Sequence, residues 1–118
     1  MKLHTIVEAK PRMEKLVTKE LPLKTAHRLF QMATAMNEHL SFFEKKRMAI
    51  LDTYGEAKGN KYVPKEGTGN TMNEKILELL NMEIEWDMEP VAISVEEDIR
   101  ITSADITALE PFVKFKEE

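Results

Sequence analysis

From Pro22 to Tyr54 no residue breaks a helix, and the apolar residues fall on a seam: Ala26, Leu29, Ala33, Met36, Leu40, Phe43, Arg47, Ile50 and Tyr54 alternate spacings of three and four. Only Arg47 among them is charged, so the pattern is a sustained heptad. Pro22 suits a first turn, where its missing N–H would have had no partner, and Gly55 suits the C′ position, where a left-handed residue is favoured. A helix of about thirty residues is about 45–50 Å long. That exceeds what a compact chain of this size offers, with a radius of gyration of about 13–14 Å. The rod therefore either projects or is flanked by two shorter elements in series.

The flanking sequence supplies those elements. Residues 2–7, Lys-Leu-His-Thr-Ile-Val, read as a short strand that needs a partner. Pro11 opens a helix of about ten residues with Met13, Leu16, Val17 and Leu21 on one stripe. The tight connection at Pro22 folds this helix back along the first half of the rod, as a helical hairpin. Residues 55–70 hold all four glycines and Pro64 and read as a flexible loop. Asn70 or Thr71 then caps a third helix with the stripe Met72, Ile76, Leu79 and Leu80, which returns along the second half. Strand 2–7 and the segment after the third helix therefore meet near the rod's midpoint. Met82, Ile84, Trp86 and Met88 alternate there with Glu83, Glu85 and Asp87, which predicts antiparallel pairing. Glu89-Pro90 interrupts the ladder, Val91-Ala92-Ile93 resumes extended character, and Ser94 is placed to cap a turn through Val95–Asp98. Thr102 or Ser103 starts a short helix with Asp105 near its positive end. Pro111 stops it, and Phe112, Val113 and Phe115 dock back. The predicted fold is α+β in one domain, 1–118: a long central helix flanked by two shorter antiparallel helices, a small antiparallel sheet at the waist and a short C-terminal helix.

Charge divides the chain. Residues 1–65 hold 13 Lys/Arg against 7 Asp/Glu, and residues 66–118 hold 4 against 14. Such asymmetry is either internal complementarity or a charged surface for a partner. The candidate interaction residues are the acidic Glu83, Glu85 and Asp87 and the basic Lys45, Lys46 and Arg47. Absence of cysteine excludes disulfides, thiol catalysis and thiolate metal sites. The N-terminal residues form neither a signal peptide nor a membrane span. His4, His27 and His39 show no metal-ligand spacing among themselves. Gly67-Thr68-Gly69-Asn70-Thr71 lacks the lysine and preceding strand of a phosphate loop. No aromatic interleaves Lys45-Lys46-Arg47, so a nucleic-acid face is not indicated. The three carboxylates lack the histidine, lysine or cleft that acid–base chemistry would need. No catalytic, cofactor or metal residue is assigned.

The N-terminal strand expected at residues 2–7, Leu21-Pro22-Leu23-Lys24-Thr25-Ala26, Tyr54-Gly55, the run from Glu78 to Glu85 and the tail from Ile101 to Phe112, taken in order, resemble a family of short proteins of unknown function. These are encoded by siphophages and prophages of Gram-positive bacteria. The resemblance implies a phage product acting in the host cytoplasm or virion, and it carries over no catalytic residues. With the heptad and the opposed charges, the expectation is a non-catalytic protein working through protein–protein contacts in virion or tail assembly. The alternative is an acidic inhibitor occupying a nucleic-acid-binding surface of a host defence or regulatory protein. A homodimer is also expected, through any part of the seam (Ala26, Ala33, Leu40, Phe43) that the flanking helices leave bare, and loosening as salt rises.

Overall fold

The computed structural model describes residues 1–94 and 99–116. Among these residues are four helices, α1 (Leu3–Val17), α2 (Leu23–Tyr54), α3 (Gly69–Leu80) and α4 (Ser103–Leu109), and four short strands, β1 (Gly55–Lys58), β2 (Lys61–Pro64), β3 (Val91–Ser94) and β4 (Val113–Lys116), in the order α1-α2-β1-β2-α3-β3-α4-β4. The architecture is α+β, organised on the 32-residue rod of α2. The molecule is accordingly elongated, with extents of 57 × 29 × 22 Å and a radius of gyration of 17.3 Å.

The rod's seam is covered in two stages. Ile6, Ala9, Met13 and Leu16 of α1 join Leu29, Met32, Ala33 and Met36 of α2 in one buried cluster. Leu3 and Leu79, from the facing ends of α1 and α3, meet at Phe43. The two short helices thus lie end to end beside α2, and the seam closes within one chain: Ala33 and Phe43 are buried, while Leu40 packs half-buried against the core. The bare strip expected at these residues as a dimer contact is not there. Arg47, on the same seam, is half-buried and pairs with Glu44 on its own helix at 3.4 Å.

Residues 2–7 are not a strand, and Pro11 does not open the first helix. The helix runs from Leu3 with Pro11 inside it. The reason is tertiary: Leu3, Ile6, Ala9, Met13 and Leu16 recur at helical spacing and are all buried. Burying that stripe outweighs the weak strand preference of Thr5, Ile6 and Val7. Pro11 leaves the Val7 carbonyl without its helical donor, a cost moderated by its exposed position. The expected sheet at the waist is reduced to one antiparallel bridge, Lys2 to Glu83. There the Leu3 N–H donates to the Met82 carbonyl at 2.9 Å and the Ile84 N–H to the Met1 carbonyl at 2.8 Å. Met82, Ile84, Trp86 and Met88 still alternate, half-buried, with exposed Glu83, Glu85 and Asp87. Their apolar face packs on the helices, with no second strand beside it.

The antiparallel sheet lies instead at the far end of the rod, where residues 55–64 form a hairpin in register Gly55 to Pro64 and Lys58 to Lys61. Gly59, at φ +62°, leads its two-residue turn, as a type II′ turn requires. Gly55 is extended (φ −117°, ψ 172°) where the sequence suggested a left-handed cap. Glycine is needed there by close approach, since a Cβ would stand 2.7 Å from the Leu51 carbonyl oxygen. β3 pairs with β4 in parallel, Val91 opposite Val113, and α4 forms part of the crossover that parallel strands need. The turn expected at Val95–Asp98 lies outside the described residues. Phe112 and Val113 do dock back, both buried, with the Trp86 ring edge-on to Phe112 at 5.4 Å.

Phe43→Ala empties the junction of three helices and should cost about 3–5 kcal/mol in denaturant melts. Gly55→Ala should cost about 1–3 kcal/mol through overpacking. A loss under about 0.5 kcal/mol at Phe43, the level of an ordinary surface substitution, would contradict the buried seam.

Candidate interaction surfaces

The charged residues singled out by sequence occupy two separate places. Glu83 sits on the waist bridge with its carboxylate 3.1 Å from the terminal amine. Glu85 and Asp87 flank Trp86 in a shallow groove whose other wall is Ala35, Glu38 and His39 of α2. The His39 and Trp86 rings lie 6.1 Å apart. Lys45, Lys46 and Arg47 fan around α2, with Lys46 5.8 Å from the centre of the Phe42 ring. Among the described residues no ion pair joins the basic trio to the acidic one. Most of the pairs between described residues are local in sequence, and those of Glu83 and Asp105 span the fold. Much of the opposed charge therefore stays on the surface instead of being neutralised internally.

Asp105 is the one buried charge among the described residues, at 4% exposure. Its carboxylate accepts from the Thr102 N–H at 3.1 Å and from Lys15 Nζ at 2.9 Å, while Arg12 Nε lies 3.3 Å from its other oxygen. Thr102 Oγ1 accepts in turn from the Asp105 N–H, which completes a capping box. Sequence placed Asp105 at the helix start but gave no sign of Lys15 and Arg12, one turn apart on α1 and about ninety positions away. The cluster fastens α4 to α1. The Thr102 N–H, then Lys15, hold the carboxyl below its ordinary value of 3.8.

Two surfaces with exposed large apolar side chains remain. An open trough between α2 and α3 is lined by Phe42, Ala49, Ile50, Leu79 and Met82, with Lys46, Lys75 and Glu78 at its rim. The other is a second stripe on α2, turned away from α1 and α3. Leu23, His27, Phe30, Thr34, Asn37, Ser41, Lys45 and Met48 repeat at spacings of three and four, and all are exposed. Leu23 is 85% and Phe30 66% exposed, high values for large apolar side chains. The sequence contained this stripe, but its polar middle hid it beside the stronger seam.

No three His, Asp or Glu side chains among the described residues gather as a metal would require, and no helix there is long and apolar enough to cross a membrane. No family model, curated protein or solved structure matches the chain.

Folded-state depression of the Asp105 pKa gives stability that is complete above the unfolded value near 3.8 and is lost as pH falls through the lower folded value. Asp105→Asn should therefore lower the denaturation midpoint at pH 7, and the gap to wild type should be smaller at about pH 3, below the unfolded value. A gap that is the same at both pH values would show that the carboxylate charge does not hold α4 in place.

Proposed function

We propose that the chain is a non-catalytic phage protein that works through protein–protein contacts as an accessory of virion or tail assembly, in the host cytoplasm or virion, and that it self-associates. The observation that carries this is the outer stripe of α2, where Leu23 and Phe30 stand in solvent on a 57 Å scaffold. Large apolar side chains repeated on one exposed helix face mark an interaction surface. The phage assignment draws on the ordered segments from Leu21 to Phe112 described above.

A second reading, an acidic inhibitor of a nucleic-acid-binding host protein, is favoured by one observation. Glu83, Glu85 and Asp87 are exposed at alternate positions, and Glu38 adds a fourth carboxylate across the groove. Such a row would compete with a phosphate backbone for a basic cleft.

Tagged chain recovered from infected cells separates the two. Structural proteins of the particle captured by wild type and lost with Phe30→Asp support the assembly role. Capture of a nucleic-acid-binding protein, lost with Glu85→Lys/Asp87→Lys and retained with Phe30→Asp, supports inhibition instead. Turnover of a small-molecule substrate by the purified chain would overturn both.

A further inference from the structure

We propose that the outer stripe of α2 is an isologous, antiparallel interface with a second copy of this chain, its two-fold axis crossing between Ala35 and Met36. The inference rests on the protein-contact reading and names the partner and register for that surface.

The register follows from the spacing. When two copies of α2 are laid antiparallel about that point, Leu23 falls opposite Met48 of the other copy, Phe30 opposite Ser41, and Thr34 opposite Asn37. These side chains are all exposed in the single chain. Leu23 meets Met48 apolar on apolar and Phe30 meets Ser41 large on small, as facing positions in packed helices require. The polar residues gather at the centre, where Asn37 and Thr34 can hydrogen-bond across the axis. A single polar pair at a seam position is a device that fixes register and orientation. Along the stripe the pairing sets no carboxylate against another: Glu44 falls opposite His27, and Lys45 opposite Ala26. A parallel arrangement would set Phe30 on Phe30 and Lys45 on Lys45, which wastes the small residues and opposes like charges. The register survives only if α2 is unbroken from Leu23 to Met48, as it is.

Size sets the expected strength. The stripe is about 37 Å long, and a strip about 10 Å wide on each copy puts the interface at the small end, below about 1,200 Å² in total. A weak dimer follows, with a Kd in the tens of micromolar. With few charges on the stripe, the dimer should hold as salt rises. An association carried by the basic and acidic halves of the chain would loosen.

The chain has no cysteine, so single thiols report the register directly. Leu23→Cys and Met48→Cys chains, one isotopically heavy, are mixed at about 100 µM, a concentration above the expected Kd, and oxidised. In the antiparallel register the unlike pair is adjacent, while like pairs stand about 37 Å apart, beyond disulfide reach. Expected is a several-fold excess of the unlike disulfide over either like one. Phe30→Asp should weaken the dimer at least tenfold in sedimentation, with the helical circular dichroism signal unchanged. Leu77→Asp, exposed on α3, should leave it as it is. A majority of like disulfides would overturn the antiparallel register while leaving the protein-contact reading intact. Sedimentation as a monomer up to about 100 µM, or more than tenfold loosening between about 0.05 and 0.5 M salt, would overturn the interface itself. Whether the face then serves a different protein is decided by the Phe30→Asp capture experiment.

Discussion

A helix of 32 residues cannot be shielded by a partner of 15 or of 12, and that mismatch sets the form of this molecule. Leaving half of the α2 seam in water would forfeit about 1.5–3 kcal/mol for each large aliphatic side chain. The chain meets the demand by laying α1 and α3 in series and joining them where Leu3 and Leu79 close on Phe43. The waist bridge follows, because the start of α1 and the segment leaving α3 arrive at the same place. Met82 then supplies the acceptor for the Leu3 N–H, one of the donors that a helix N-terminus leaves without an intrahelical partner. The hairpin at 55–64 and the β3–β4 pair complete the ends of a scaffold already fixed by the seam.

The same economy leaves one face of α2 exposed among the described residues. Two flanking helices in series cover one side of a rod, and the opposite side keeps Leu23 and Phe30 in solvent. Electrostatics are handled locally as well. Asp105 is buried with hydrogen bonds from the Thr102 N–H and Lys15 and with the Arg12 guanidinium in ion-pair range, so its desolvation is offset, and it ties α4 to α1. Most of the other acidic and basic residues among those described stay exposed and give the surface its two signs.

What could be read from the residues, and what could not, divides along the range of the interactions. α2 was legible to within a residue at each end because a long heptad with Pro22 and Gly55 at its limits admits one interpretation. α4 was legible from Thr102 and Asp105 at its start and Pro111 past its end, and the alternation from Met82 to Met88 divided half-buried from exposed side chains. Thr5, Ile6 and Val7 misled because a three-residue strand preference is weaker than the burial of five residues spaced along fifteen. The hairpin carries a two-residue turn signal in Gly59-Asn60, but Lys58 and Lys61 on either side mask any alternation. The convergence of Lys15 and Arg12 on Asp105 had no local signal at all, since residues ninety positions apart become neighbours only through the tertiary fold. The outer stripe was present in the sequence as a second three–four repeat, and only the burial of the first seam shows that it is left over.

The central claim is that α2 is one unbroken rod from which everything else hangs, and a distance along it is the direct test. Spin labels at Lys24 and Asp52, both exposed, are separated by 28 residues, or about 42 Å of continuous helix. Dilution of labelled chain into unlabelled chain removes any signal between copies. A single narrow distribution near about 42 Å is expected, whereas a broad distribution or a maximum below about 30 Å would mean a broken helix. In that case the seam, the serial helices and the outer stripe would all lose their basis.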